Sequence, residues 1–280
     1  MDTFHADLHC HTYISDGSDS PEELIRLAIE KGLSGLSITD HDTVGAYSRA
    51  LTFAEQQSFP LLPGVEFSAS FRGDSVHILG YAFSLKSEEI KQFCEGHFER
   101  RRHRNSKILE HLKQLGISIE EEELENIGQM SETVGRPHIA MLLVQKGVVK
   151  SLKEAFGTFL GEGKPAYDPG EAISVEKTIE VIHKAKGKAV LAHPHLIKRS
   201  STLKAMLEMP FDGIEGHYPR LTPIQQNRWA ELAKEKKWIL TGGSDYHGNI
   251  KPQNNLGAAW IGKETFELLY THYVQIASSS

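Results

Sequence analysis

The chain has 280 residues, 39% hydrophobic and 24% charged, enough for one sizeable core with room for an inserted segment. Its 31 basic and 37 acidic residues give a net charge of −6, which excludes a nucleic-acid coating protein and predicts no stable nucleic-acid partner. With two cysteines no disulfide framework is predicted; no apolar run nears the roughly 20 residues of a membrane span and no leader pattern opens the chain, so a cytoplasmic protein without a membrane partner is expected.

The first predicted element is a short apolar strand closing in Asp7-Leu8-His9-Cys10-His11. Side chains alternate along a strand, so Asp7, His9 and His11 share one face while Ala6, Leu8 and Cys10 share the other. Two imidazoles about 6–7 Å apart on one face can hold a metal ion, and Asp16 follows closely; Cys10 reads as core. Ser20-Pro21-Glu22-Glu23 then carries a helix start, with Ser20 as N-cap and Glu23 completing a capping box. Leu33 to Thr39 reads as a strand running into Asp40-His41-Asp42, Thr43 to Gln57 as a helix, Leu61 to Ser68 as a strand carrying Glu66, and Ser75 to Phe83 as a strand with His77 near its start. This alternation predicts parallel strands with crossover helices and a site at one end of the sheet.

From about Leu85 to Lys164 the pattern turns helical, with helices over Glu88–Leu115, Glu120–Asn126, Arg136–Lys146 and Leu152–Phe159 and no convincing strand. The predicted organisation is a barrel from residues 1–84 and 165–280 interrupted by an all-helical insertion, 85–164, that caps the substrate. Arg101 and Asn105 fall on the apolar stripe of the long helix, so they face a cleft or the helix is solvated at its middle. The surrounding run of Arg100, Arg101, Arg102 and Arg104 reads as a solvated face. Gly135-Arg136-Pro137-His138 opens a helix whose N-terminus, with Arg136 and His138, suits an anion. After the insertion, strands are predicted over Lys188–Ala192, Asp212–His217, Trp238–Thr241 and Leu256–Ile261, separated by helices, with a last helix from Lys263.

Fifteen histidines are many for this length, and neutral imidazole is the commonest nitrogen ligand. Polar clusters fall near successive strand ends: His9, His11 and Asp16; Asp40, His41 and Asp42; Glu66; His77; His193; Asp245 and His247. Each alone fits a satisfied buried histidine or a helix cap. Together they point to a metal site.

The first His-x-His, Thr39-Asp40-His41-Asp42, Gly64-Val65-Glu66, Ala192-His193-Pro194 and Ser244-Asp245-Tyr246-His247, in that order, resemble the PHP (polymerase and histidinol phosphatase) family over almost the whole chain. The resemblance implies an α/β fold, a distorted (β/α)7 barrel, holding three divalent ions of Mn, Fe or Zn. It implies one ion on His9, His11, Glu66 and Asp245, a second on Glu66, His77 and His193, and a third on Asp16, His41 and His247. Water acidified between two metals would be the nucleophile, and Asp7, Asp40 and Asp42 would orient imidazoles, unless Asp42 caps the Thr43 helix. It also implies that Arg136 and His138 reach the substrate phosphate, with Lys164 beside them. His195 is a candidate proton donor to the leaving oxygen or makes a structural hydrogen bond, and His217 a candidate substrate contact. The implied activity is hydrolysis of small-nucleotide monoesters, a nucleoside 3′,5′-bisphosphate or a 5′-nucleotide. A 5′-3′ exoribonuclease acting on short RNA is the alternative; a histidinol-phosphate-type phosphatase, a metal-dependent amidohydrolase and a non-catalytic module fit less well.

Overall fold

A computed structural model of the chain describes residues 4–127 and 131–279. Strand β1 (Ala6–Cys10) is buried along its whole length, and α1 (Pro21–Glu30) follows it. The capping box forms as its residues predict: Glu23 N donates to Ser20 Oγ, and Ser20 N donates to Glu23. β2 (Gly35–Ile38) pairs in parallel with β1. α2 (Tyr47–Gln56) starts four residues later than Thr43, because the Thr43 hydroxyl takes the Gly45 N–H and bonds Glu132, holding a turn there. Its first turn has no side-chain cap, so Asp42 does not cap this helix.

β3 (Gly64–Phe71) and β4 (Asp74–Tyr81) form an antiparallel hairpin. Arg72 and Gly73 sit at φ 50° and 86°, the left-handed pair that a two-residue hairpin turn requires. β4 is also antiparallel to β5 (Lys188–Leu191); only β5, β6 (Gly213–His217) and β7 (Ile239–Gly242) continue in parallel. The all-parallel expectation is thereby corrected. Two residues can reverse a strand, whereas a parallel neighbour needs a crossover of a dozen or more.

The strands form a two-stranded and a five-stranded sheet, with order β3-β4-β5-β6-β7 in the larger. Isolated bridges join the sheets at both seams: Leu36–Leu61 and His41–Glu66 on one side, Cys10–Tyr246 on the other. The result is a ring closed at two seams by isolated bridges rather than by continuous ladders. The segment from Leu256 contributes one bridge, Ala6–Ile261, and no named strand.

Between β4 and β5 run α3 (Glu88–Gln114), α4 (Glu121–Ile127), α5 (Arg136–Gln145), α6 (Leu152–Ala155), which continues into a π turn, and α7 (Val175–Lys184). Ile108, Leu112, Ile139, Leu143 and Leu160 belong to one apolar cluster, distinct from the clusters under the strands. Each such side chain contributes roughly 1.5–3 kcal/mol on leaving water, so this region carries its own core. One of its contacts with the ring is the 131–132 segment. Ser131 Oγ donates to Ser15 O (2.8 Å) and Ile14 O (3.2 Å), and Glu132 N donates to Ile14 O (2.8 Å). α8 (Ser200–Met206), α9 (Pro223–Lys236) and α10 (Lys263–Ser278) complete the fold. Among the described residues no helix is long and apolar enough to cross a membrane.

Candidate metal centre

The ring brings all nine residues of the expected ligand set to one end. His9 lies near the end of β1 with His11 just past it, His41 follows β2, His193 follows β5, and Asp245 and His247 follow β7. His77 lies early in β4. Because β4 runs against its neighbours, its beginning lies at the end where theirs finish, and the register sets His77 opposite Ser68. Asp42, His193 and Asp245 hold left-handed φ values of 60°, 26° and 51°. Such conformations cost about 1–3 kcal/mol each and persist where the surroundings fix them; here His193 N donates to Glu215 Oε2 at 2.7 Å and Asp42 N to Glu66 O at 3.0 Å.

Glu66, buried at the middle, has five imidazoles around its two oxygens. Oε2 lies 3.2 Å from His9 Nε2, His11 Nε2 and His41 Nδ1. Oε1 lies 2.8 Å from His77 Nδ1 and from His193 Nε2. Asp245 Oδ1 stands 3.4 Å from His11 Nε2 and 3.4 Å from His247 Nδ1, while Asp16 Oδ1 is 3.4 Å from His247 Nε2.

Among the described residues three groups have donor atoms within 4.8 Å of one another: His9, His11, Glu66 and Asp245; His41, Glu66 and His77; and His11, Asp16, His41 and His247. His11 and His41 each serve two groups. His9 Nε2, both nitrogens of His11, His41 Nδ1, Glu66 Oε2 and His247 Nε2 are buried without a hydrogen-bond partner among the described residues. A buried polar atom left unpaired costs about 1–3 kcal/mol. Orphaned nitrogen and carboxylate donors that face one another fit divalent cations.

Burial pushes the carboxyls of Asp16, Glu66 and Asp245 up, but neighbouring charges outweigh it and hold all three well below the usual carboxylate range. The imidazoles His247 and His41 act on Asp16, His41 and His77 on Glu66, and Lys251 and His247 on Asp245. For His11, burial is outweighed by Asp245 and Glu66 and the pKa rises to about 9; for His41 burial wins and the pKa falls to about 3.

Three supporting residues escaped sequence reasoning. Glu215, fully buried, bonds His9 Nδ1 at 2.8 Å, which leaves Nε2 turned toward the other donors. Tyr218 donates its hydroxyl to Asp245 Oδ2 at 2.8 Å, and Lys251 Nζ reaches the same oxygen at 3.2 Å. An acid inside the apolar run of β6 was the available signal for Glu215.

The expected orienting aspartates do other work. Asp7 accepts from the backbone N–H of His9, Ser244 and Gly257, and so pins β1 to two later segments. Asp40 accepts from Thr12 N, Thr12 Oγ1 and Ser15 Oγ and shapes the loop before Asp16; burial raises its pKa to about 6. Asp42 accepts from Ser68 N at 2.7 Å and from Arg101 Nε at 2.8 Å, and faces an imidazole outside the cluster, His97 Nδ1, at 3.3 Å. Short carboxylates beside backbone amides fold loops before they orient rings.

Arg101 therefore faces inward, tying α3 to the loop after β2, and Asn105 donates to Val134 O at 2.9 Å. The basic run is not a plain solvated face. Arg136 lies over the Tyr167 ring at 5.4 Å. His138 is buried, and its Nδ1 takes the Gly135 N–H at 3.1 Å, which caps α5; the Asp16 charge also acts on it. Lys164 is exposed at the exit from the helical region and is not brought to the cluster. His195 packs on Tyr218 at 4.5 Å, its Nδ1 buried without a hydrogen-bond partner among the described residues, and burial and His193 lower its pKa. His217 bonds Gln226 on α9 at 3.3 Å.

A family model for the PHP domain matches residues 7–160. The 5′-3′ exoribonuclease Rnm of Escherichia coli K12 is 33% identical over 248 residues, spanning 86% of this chain and 84% of that protein. The 3′,5′-nucleoside bisphosphate phosphatase of Chromobacterium violaceum is 31% identical over 257 residues, with 86% of each chain covered. A Bifidobacterium adolescentis structure assigned as a metal-dependent phosphoesterase superposes at a TM-score of 0.85 with 31% identity, over 95% of this chain and 96% of its own.

Proposed function

The chain belongs to the PHP domain family, whose relatives hydrolyse phosphate esters, and from that premise we propose that it removes a phosphate from small nucleotides, a nucleoside 3′,5′-bisphosphate or a 5′-nucleotide. The observation that carries this reading is the convergence of five imidazole nitrogens within 3.2 Å of the Glu66 oxygens. A donor set of this size suits three divalent ions, Mn, Fe or Zn, with Glu66 shared between two of them. His9, His11 and Asp245 would hold one ion with Glu66; His77, His193 and Glu66 a second; Asp16, His41 and His247 a third. Such ions, when bound, acidify water and polarise phosphoryl oxygens.

The chain's own groups supply the rest. Glu215 holds the His9 ring, and Tyr218 and Lys251 hold Asp245, so the donors are fixed before substrate arrives. Arg136 and His138 would bind the phosphate from the helical side, with Arg101 beside them. His195, packed on Tyr218, would deliver a proton to the leaving oxygen. In this reading residues 1–84 and 165–280 are the barrel and residues 85–164 the substrate cap.

A second reading, trimming of short RNA from its 5′ end, is favoured by an open cleft of about 230 Å³ between α3, α4 and the 131–134 segment, which Arg101 lines. A strand continuing past the metal centre has somewhere to lie. The deciding assay offers a nucleoside 3′,5′-bisphosphate and a short 5′-phosphorylated RNA to the protein with each metal added singly. Preferential release of inorganic phosphate from the bisphosphate supports the first reading, and stepwise release of nucleotides from RNA the second. No hydrolysis of either substrate with any metal would reject both.

A further inference from the structure

Guanidinium groups gather over the first turn of α5. A Cβ on Gly135 would lie 2.8 Å from Arg101 Nη1 and 3.5 Å from Arg104 Nη2, so both side chains reach the backbone that opens the helix. Arg136 is the next residue, its guanidinium carried on Tyr167. Among the described residues the one carboxylate bonded to this group is Asp42, which binds Arg101 and already faces His97. Arg104 Nε is buried and has no hydrogen-bond partner among the described residues. Its stem cannot swing away freely: a Cβ on Gly170 would lie 3.1 Å from Arg104 Cδ, so the methylenes pack against bare backbone. Burial, then the charges of Arg101 and Arg136, bring its pKa down to about 9.

A guanidinium N–H buried without an acceptor is costly, and a fold keeps one where a ligand supplies the acceptor. One phosphate at the metals does not account for all three arginines. Arg101 is bonded to Asp42, next to His41, whereas Arg104 lies almost a helical turn further along α3. His138 already takes the Gly135 N–H, so side chains supply the donors.

We propose that Arg104 binds a second phosphate of the substrate, distinct from the one that Arg136 and His138 meet at the metal centre. This rests on the phosphoesterase reading. The ligand chemistry is a phosphate monoester on the same molecule, read by a planar guanidinium fork. Its source is either the other terminal phosphate of a nucleoside bisphosphate or the 5′-terminal phosphate of a 5′-phosphorylated oligonucleotide whose first internucleotide bond is the one cleaved.

The test compares the wild type with Arg104→Gln and Arg104→Lys, each checked by thermal melting. Three substrates are needed: a nucleoside 3′,5′-bisphosphate, a 5′-phosphorylated dinucleotide and a nucleoside 5′-monophosphate. Arg104→Gln is expected to lower kcat/KM at least tenfold more on one of the two-phosphate substrates than on the monophosphate, mainly through KM, with partial recovery in Arg104→Lys. The substrate that suffers identifies the source of the phosphate. Equal losses on all three, or no loss on any, overturn the proposal. Calorimetry with the nucleoside bisphosphate on metal-free protein separates this site from the activity. Should the wild type hydrolyse nothing, binding weakened at least tenfold in Arg104→Gln still supports the anion site, and unchanged binding removes it.

Discussion

Glu215 touches no substrate in the proposed chemistry, yet it fixes two members of the cluster: its Oε1 bonds the His9 ring and its Oε2 takes the His193 N–H. Glutamine keeps the shape and removes the charge. Partners of this kind typically contribute 10–100-fold to metal affinity, so Glu215→Gln is predicted to weaken binding of the added metal by about that factor in a competition titration, with the fold unchanged by circular dichroism. Equal affinity in the variant would reduce Glu215 to a packing residue. Protons oppose the same binding. His11, with its pKa raised to about 9, is charged at neutral pH and must give up that proton to become a ligand. Apparent metal affinity is therefore predicted to rise with pH up to about 9, by as much as tenfold per unit for one proton displaced, and a flat profile between pH 6 and 8 would contradict this. The donors themselves were legible in the sequence because each sits in a short motif at a strand end. Glu215 was not: its partner lies 206 positions away, and nothing local distinguishes it from an ordinary acid in a strand.

Among the elements, the β3–β4 hairpin decides where His77 goes. Its residues announced a strand but not a direction, since alternation is the same whichever way a strand runs. The turn held the missing signal: Arg72-Gly73 is a two-residue connection with glycine at its second position. Register follows from that turn, and one extra residue would flip every later side chain of β4 to the other face. A single glycine inserted between Arg72 and Gly73 is expected to leave the protein folded but short of one bound ion by mass spectrometry. Full metal content in that variant would show that the strand re-registers around its ligand. The helices were read more reliably: Ser20 carries out the N-cap predicted for it, and Ser174 and Thr222 cap α7 and α9 in the same way. α2 was the exception: Thr43 spends its hydroxyl on Glu132, a contact from 89 residues away.

Over the whole molecule, donors from the ends of β1, β2, β5 and β7 and from within β3 and β4 meet around Glu66, while among the described residues the ring is closed at its seams by isolated bridges. Bound ions would act as cross-links where the backbone ladder is thinnest. Metal at 100 times its dissociation constant adds about 2.7 kcal/mol per site, so chelation is predicted to lower the melting temperature by roughly 5–10 °C for each ion removed from a chain of this size. An unchanged melting curve after confirmed metal removal would mean that the ions contribute chemistry alone. In the metal-free protein the depressed carboxyls of Asp16, Glu66 and Asp245 contribute stability that is present above the ordinary carboxylate pKa and is lost as pH falls through their depressed values. The overall class of the fold was readable from its alternation of elements and the switch to helices near Leu85. The seams were not, because isolated bridges leave no periodic trace.

Among the ties of the helical region to the ring, Ser131 and Glu132 grip the carbonyls of Ile14 and Ser15, immediately before Asp16. Any lifting of that region to let product escape would pull on the loop that carries a metal-facing carboxylate. Wear would then follow work: an idle enzyme keeps its ions, and a busy one sheds them. The expected signature is an inactivation that tracks the amount of product made rather than the hours elapsed, and that fresh metal reverses. Decay at the same hourly rate with and without substrate would show that the two motions are independent.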